Sequence, residues 1–90
     1  MIYPFMTLYD HTEIVHSELL PDNRVKVYIE KPDANDCFHD MTCYLPDYEI
    51  VSVNGFSEEE VAEYMSIIRS TAHLIIEFAK EGGFLNASGL

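Results

Sequence analysis

Residues 56–82, FSEEEVAEYMSIIRSTAHLIIEFAKEG, decide the fold because they predict one long helix. Ser57 is a favourable N-cap residue, and Glu60 three residues later completes the pattern of a capping box. At the other end, Lys80 suits the negative end of the helix dipole, and Gly82-Gly83 favours the left-handed conformation that closes a helix. The helix is therefore well specified at both ends.

Apolar residues cover an unusually wide sector of this helix. At about 100° per residue, two neighbouring lines span an arc of roughly 200°, whereas a helix lying on one surface needs about 100°. The first line comprises Val61, Met65, Ile68, Ala72, Ile75 and Ala79, and the second comprises Tyr64, Ile67, Thr71, Leu74 and Phe78. One sheet is too narrow a support for both lines. We therefore predict a homodimer whose interface uses Tyr64, Ile67, Leu74 and Phe78.

Upstream of the helix, apolar and polar residues alternate, which is typical of strands in a sheet with one buried face. The clearest example is residues 24–31, where Val25, Val27 and Ile29 point one way. In the last strand we expect Val51 and Val53 on one side and Ile50 on the other. Predicted strands cover residues 12–20, 24–31, 38–45 and 48–53, with a turn at 21–23 that makes the first two an antiparallel hairpin.

The segments outside the strands and the helix predict an arm, a loop and a tail. Pro4 lacks the N–H group that a central strand needs, so we expect the first residues to lie over the core as an arm. Polar, turn-forming residues at 32–36 predict a loop. The predicted order is an N-terminal arm (1–11), the sheet (12–53), the helix (57–82) and a tail (83–90).

The fold class predicted for residues 1–90 is a single α+β domain with two layers. A three- or four-stranded antiparallel sheet would carry the long C-terminal helix on one face. The other face would stay open, with Tyr28, Tyr44 and Tyr48 on or near it. We expect a partner to bind on that open face.

The net charge of the chain indicates which classes of molecule it can bind. Sixteen acidic residues against five basic ones give a formal net charge of −11, which repels nucleic acids and anionic membrane surfaces. The same charge steers the chain towards basic proteins. We therefore predict a basic protein partner, no nucleic acid and no membrane.

Location and cysteine usage are consistent with a cytoplasmic protein. The first residues lack the basic segment of a signal peptide, and no apolar run approaches the roughly 20 residues of a membrane span. Two cysteines, Cys37 and Cys43, are too few for a disulfide scaffold or a structural zinc site. We expect a cytoplasmic location with reduced thiols.

Residues 10–16, DHTEIVH, are the densest group of metal-capable side chains. On a strand, His11 and Glu13 share one face while His16 falls on the other, so the three cannot meet one ion without a bulge. We predict no metal site here, and expect these charged side chains to protect a sheet edge from strand pairing.

A thiol nucleophile is the other candidate chemistry. Cys37 and Cys43 lie near His39, but a reactive thiolate needs a cationic neighbour or a base, and acidic residues predominate in this region. Cys43 alternates with Met41 and Leu45, which predicts a buried structural thiol. We predict no catalytic residue and no cofactor.

Two functional hypotheses follow. The first is a small acidic cytoplasmic protein-interaction module without catalytic activity, a homodimer that binds a basic protein partner as an antitoxin or an inhibitor does. The alternative is a small enzyme or a metal- or ligand-binding protein whose site uses His16, His39, Glu13 or Cys43.

Overall fold

The structure, a computed structural model, describes residues 2–8, 11–32 and 38–81, except for the side chain of Phe38. These residues form five strands and one helix. In chain order they are β1 (Ile2–Thr7), β2 (Glu13–Ser17), β3 (Val25–Pro32), β4 (Phe38–Leu45), β5 (Glu49–Asn54) and α1 (Glu58–Lys80). The predicted loop at 33–36, Cys37, the glycine closure at 82–83 and the tail lie outside the described residues.

The strands form one antiparallel sheet in the order β1-β2-β3-β4-β5, so each strand pairs with its neighbour in sequence. With α1 following the strands, the predicted α+β class is confirmed. The predicted number of three or four strands is wrong, because the sheet has five. The additional strand is β1, which forms from residues that we expected to be an arm.

Proline is compatible with β1 because this strand lies at the edge of the sheet. β1 pairs with β2 from Ile2 opposite Ser17 to Thr7 opposite Glu13, and the register shifts between Pro4 and Met6. An edge strand needs hydrogen bonds on one side only, and a bulge releases a further N–H group from the ladder. Pro4 therefore stays opposite Val15 of β2 within the edge strand, next to the register shift.

One face of the sheet, called here the helix face, is buried beneath α1. Its fully buried apolar side chains on the strands are Ile14, Val25, Val27, Ile29, Met41, Cys43 and Leu45. The predicted alternation matches the observed burial in β3, whereas in β4 Thr42, on the other face, is buried as well. Between β2 and β3, Asn23 adopts a positive φ of 64° and its N–H donates to the carbonyl of Leu20 at 2.9 Å, which closes the predicted turn.

Helix α1 begins with the capping box that the sequence predicts. Ser57 Oγ accepts a hydrogen bond from the backbone N–H of Glu60 at 3.2 Å, and Glu60 Oε1 accepts one from the N–H of Ser57 at 2.9 Å. Two backbone donors that the helix leaves unpaired are thereby satisfied. The first apolar line of α1 faces the sheet, with Met65, Ile68, Ala72, Ile75 and Ala79 buried.

A bulge in β5 changes the predicted faces of that strand. Val53 lies opposite Met41, and Ile50 lies opposite Cys43, although Ile50 and Val53 are three residues apart. Regular alternation would separate them, but the register shift between Thr42 and Cys43 inserts one extra residue into β5. The prediction that Ile50 and Val53 lie on opposite sides is therefore wrong, because both lie on the helix face.

The capping box predicts a pH-dependent contribution to stability. The N–H of Ser57 lowers the pKa of Glu60, and Lys31 adds to this effect with its Nζ 3.7 Å from Glu60 Oε2. A lowered folded pKa stabilises the fold above the unfolded pKa of about 4.3, and this stabilisation is lost as the pH falls through the folded value. We expect Glu60→Gln to lower the free energy of unfolding at pH 7 by about 0.3–1 kcal/mol.

Urea unfolding of the wild type and of Glu60→Gln at several pH values measures this difference. The gap in unfolding free energy should close as the pH falls below about 4. A gap of constant size at every pH would show that the carboxylate charge contributes nothing beyond its hydrogen bond.

Gly55, at the junction of β5 and α1, is the basis of a second prediction about stability. Its φ is +90°, and a Cβ atom there would lie 2.5 Å from Cδ2 of His39. Gly55→Ala should therefore destabilise the fold by about 1–3 kcal/mol in chemical unfolding. Introducing the same change into a His39→Ala background should recover only the part of this loss that comes from the ring contact. Wild-type stability of Gly55→Ala would contradict the account.

Candidate functional site

The structure does not bring together the residues of the enzyme or ligand-binding alternative. His16 and Cys43 lie on the helix face, each paired with Val27, which separates them by two strand spacings of about 4.8 Å each. Glu13 is exposed on the opposite face. His39 packs against Phe56, with ring centroids 5.8 Å apart. In the described part of the chain, no three His, Cys, Asp or Glu side chains are placed to hold one metal ion.

His16 is a core residue. It is fully buried, and its ring lies 5.8 Å from that of Tyr3 and 6.3 Å from that of Phe5. Nδ1 lies 2.7 Å from the carbonyl oxygen of Ser17, to which it donates in the tautomer that satisfies this contact. Nε2 has no hydrogen-bond partner in the described structure. β2 is also an inner strand, so the predicted role of this segment in protecting an edge is wrong, since β1 covers it.

Cys43 is a structural thiol in the middle of the sheet. Burial raises its pKa to about 11, which strongly disfavours the reactive thiolate near neutral pH. The raised pKa gives a stability contribution that is present below the ordinary thiol pKa and is lost as the pH rises towards the folded value. The geometry thus favours packing over nucleophilic chemistry for Cys43.

Thiol labelling tests this assignment. In a Cys37→Ser variant, which leaves Cys43 as the single thiol, we expect labelling at pH 8 to be at least about a hundredfold slower in the native state than in denaturant. The thiolate population and access both fall on burial, so the two effects act in the same direction. Native labelling at the denatured rate would instead restore Cys43 as a candidate nucleophile.

The face of the sheet opposite α1, called here the open face, carries an ordered set of charges. Glu13 pairs with Glu30, and Glu30 pairs with Asp40, so that three carboxylates occupy one cross-strand row on β2, β3 and β4. We call these three residues the acidic row. Directly opposite residues in a sheet have Cβ atoms about 4.5–5.5 Å apart, a distance at which like charges destabilise the pairing.

Two polar side chains donate hydrogen bonds to carboxylates of the acidic row. Asn54 Nδ2, at the end of the row on β5, donates to Asp40 Oδ1 at 2.9 Å. The hydroxyl of Tyr28 donates to Glu30 Oε2 at 3.4 Å. Burial, and then the charges of Asp40 and Glu30, raise the pKa of Tyr28, so its hydroxyl stays protonated and remains a donor.

At the other end of the open face, a tyrosine ring and carboxylates hold the guanidinium of Arg24. The Arg24 guanidinium lies over the ring of Tyr44, 4.2 Å from its centroid, and donates to Glu49 at 2.5 Å. Asp47 lies 3.7 Å from Arg24 Nε. The hydrogen bond to Glu49 is the main reason that the pKa of Arg24 is raised. A tyrosine ring beside a carboxylate is therefore an arrangement that holds a guanidinium on this surface.

Tyr48 does not share this face, although we expected it on or near it. Tyr48 packs against the core, and Arg69 of α1 lies over its ring at 5.4 Å from the centroid. Tyr28 and Tyr44, in contrast, pair with Thr42 and Lys26 and point away from the helix. The open face thus has two of the three expected tyrosines.

The predicted homodimer residues on α1 differ in exposure. Tyr64 is buried, and its hydroxyl lies 3.3 Å from Oγ1 of Thr12. Phe78 contacts Phe5 with ring centroids 6.1 Å apart, and Ile67 is half-buried. Leu74 is the most accessible of the four, with 38 % of its surface exposed. Part of this line therefore packs within the chain against β1 and against Thr12, the residue before β2.

Sequence reasoning alone missed the acidic row. Glu13, Glu30 and Asp40 each occupy a polar position of an alternating strand, and this signal was present in the sequence. Their meeting in one row depends on the pairing register, which shifts by one residue at any bulge. Alternation identifies the face, whereas only the register identifies the row.

Comparison of the chain with protein-family models, with curated proteins and with solved structures found no match. Within the described residues, no helix has the length and apolar character needed to cross a membrane.

Proposed function

We propose that this chain is a small acidic protein-interaction module without catalytic activity, which binds a basic protein partner and self-associates as a homodimer. The observation that carries the proposal is the acidic row on the open face, Glu13, Glu30 and Asp40. The partner is proposed to place lysine or arginine side chains over this row.

Electrostatics supports a cationic partner for this row. Two unit charges about 5 Å apart repel by about 1–3 kcal/mol at the effective dielectric constants of a protein surface and water. The register places two such like-charged pairs side by side, Glu13 with Glu30 and Glu30 with Asp40. A cation between the carboxylates converts the repulsion into attraction. The net charge of −11 adds long-range steering of a basic protein towards the chain.

Tyr28 supplies a contact surface beside the row. It pairs with Val15 on one side and Thr42 on the other, and its hydroxyl reaches Glu30. The chain's own Arg24 already stacks on Tyr44 beside Glu49. A partner arginine that stacks on Tyr28 beside Glu30 would repeat this arrangement with the same chemistry, and tyrosine and arginine are both frequent in the energetic centres of interfaces.

The proposed biological form is a neutralising partner of a basic protein, such as an antitoxin or an inhibitor of a nuclease. Supporting it are the net charge of −11 and the position of the acidic row on a sheet face that no described element covers. A cytoplasmic location stays a prediction.

Affinity capture from a lysate of the source organism tests the proposal. The wild type should retain a basic protein at low salt and lose it at moderate salt, because screening weakens contacts between exposed charges. Glu30→Gln combined with Asp40→Asn should weaken binding of the identified and purified partner at least about tenfold in titration calorimetry. These substitutions keep the shapes of the side chains while removing two charges.

The matched control is Glu58→Gln combined with Glu59→Gln, which removes the same charge from exposed positions at the start of α1. This control should retain most of the affinity. Equal losses in the two double variants would mean that only the general field matters and would contradict the assignment to the open face. Failure of the wild type to retain any basic protein would contradict the partner hypothesis itself.

A further inference from the structure

Strand β5 forms an exposed and apolar edge of the sheet. It is the last strand in the order β1-β2-β3-β4-β5, and all six of its residues are exposed. Ile50, Val51 and Val53 have 41 %, 52 % and 39 % of their surfaces accessible. These are three of the five large apolar side chains that are exposed in the described structure, and the other two, Ile2 and Leu74, lie on separate elements.

The two edges of the sheet are protected differently. β1 has Pro4, which cannot donate to an added strand. β5 contains neither proline nor lysine, and its single charged residue, Glu49, is already bound to Arg24. The bulge in β5 shifts its register with β4 by one residue, and the residues on each side of the bulge stay paired with β4. Apart from this bulge, β5 has none of the features that block an edge, and an exposed apolar edge is a template for pairing with another strand.

We infer that β5 pairs with β5 of a second copy of this chain, in antiparallel orientation about a twofold axis between Val51 and Ser52. This register sets Ile50 opposite Val53 of the second copy and Glu49 opposite its Asn54. Two five-stranded sheets would thereby join into one continuous sheet. The inference rests on the self-association in the proposed function and specifies its surface.

The register is self-complementary on both faces of the sheet. Ile50 and Val53 lie opposite Cys43 and Met41, so both point to the helix face. A twofold axis perpendicular to the sheet keeps each face on its own side, so these apolar side chains meet each other. On the open face, Glu49 meets an asparagine rather than a second glutamate. No two like charges are directly opposite, which is the condition that a stable cross-strand pairing requires.

Charge distribution sets the salt dependence of this dimer. Each copy carries a net charge of −11, whereas β5 itself has one charged residue among six. The general field therefore opposes association while the contact surface is apolar. Salt screens the field and leaves the apolar contact in place, so the dimer should tighten as salt rises. Binding of a basic partner changes with salt in the opposite sense.

Sedimentation equilibrium of the full chain across a range of concentrations and salt tests the inference. A contact made by one strand pair is at the small end of protein interfaces, so we expect a reversible dimer that dissociates on dilution. Val51→Lys should weaken dimerisation at least about tenfold. Lysine is chosen because it reduces the net negative charge, so a loss of dimer cannot come from the general field.

Leu74→Lys is the matched control, since it makes the same change of charge at the exposed position of the predicted helix interface. Its dimerisation constant should stay within about twofold of the wild type. Dissociation of the Leu74→Lys dimer with an intact Val51→Lys dimer would overturn the edge pairing while keeping self-association through α1. A monomeric wild type at every concentration and salt would overturn self-association altogether, and would leave the capture of a basic partner untouched.

Hydrogen exchange supplies a direct readout of the edge. The amides of β5 should become protected as the concentration rises, while the amides of α1 keep their protection. Ile50→Lys, folded by circular dichroism, should lose this concentration dependence. Protection of β5 that appears only after a basic protein is added would overturn the inference and assign the edge to that partner.

Discussion

A single helix has to cover a sheet of five strands, and this constraint decides which surfaces of the molecule stay open. A helix is about 10 Å wide, whereas strands about 4.8 Å apart make a five-stranded sheet about 19 Å wide. α1 packs on the inner strands, where Val27, Ile29 and Met41 are fully buried in one core with its apolar residues. β5 and the whole open face remain beyond its reach. The edge strand β5 and the open face, to which we assign functions, are therefore exposed because one helix covers only part of the sheet.

The two ends of the open face differ in how far their charges are compensated: at one end Arg24 is surrounded by Glu49 and Asp47, whereas the other end carries the acidic row. The acidic row crosses β2, β3 and β4 at one end, while Arg24 and Lys26 lie near the other, with Tyr28 between them. Arg24 is already bound by Glu49 and stacks on Tyr44, so its charge is largely compensated. The negative charge of the acidic row is compensated less. This asymmetry orients any charged molecule that approaches the face. A partner with a single cationic patch has one favourable way to lie on it.

Sequence patterns predicted the elements well where local chemistry determines them. The capping pair Ser57 and Glu60 gave the start of α1, and the alternation of Val25, Val27 and Ile29 gave the buried face of β3. The failures have a common physical cause, which is pairing between strands. Pro4 lies in a strand because an edge has an unpaired side, and a bulge brings Ile50 and Val53 to one face. The acidic row likewise exists only through register, which no local pattern encodes.

The order of elements along the chain has a consequence for folding. Each strand pairs with the strand that precedes it, so the sheet forms through short-range contacts, whereas α1 returns across the whole sheet to reach Thr12 and Leu19 near β2. During synthesis the strands leave the ribosome before the helix that covers them. Until α1 is complete, the apolar helix face has no partner within the described chain, and a nascent sheet with that face exposed is prone to aggregation. Of the described elements, the one synthesised last is thus the one that covers the apolar face of the sheet.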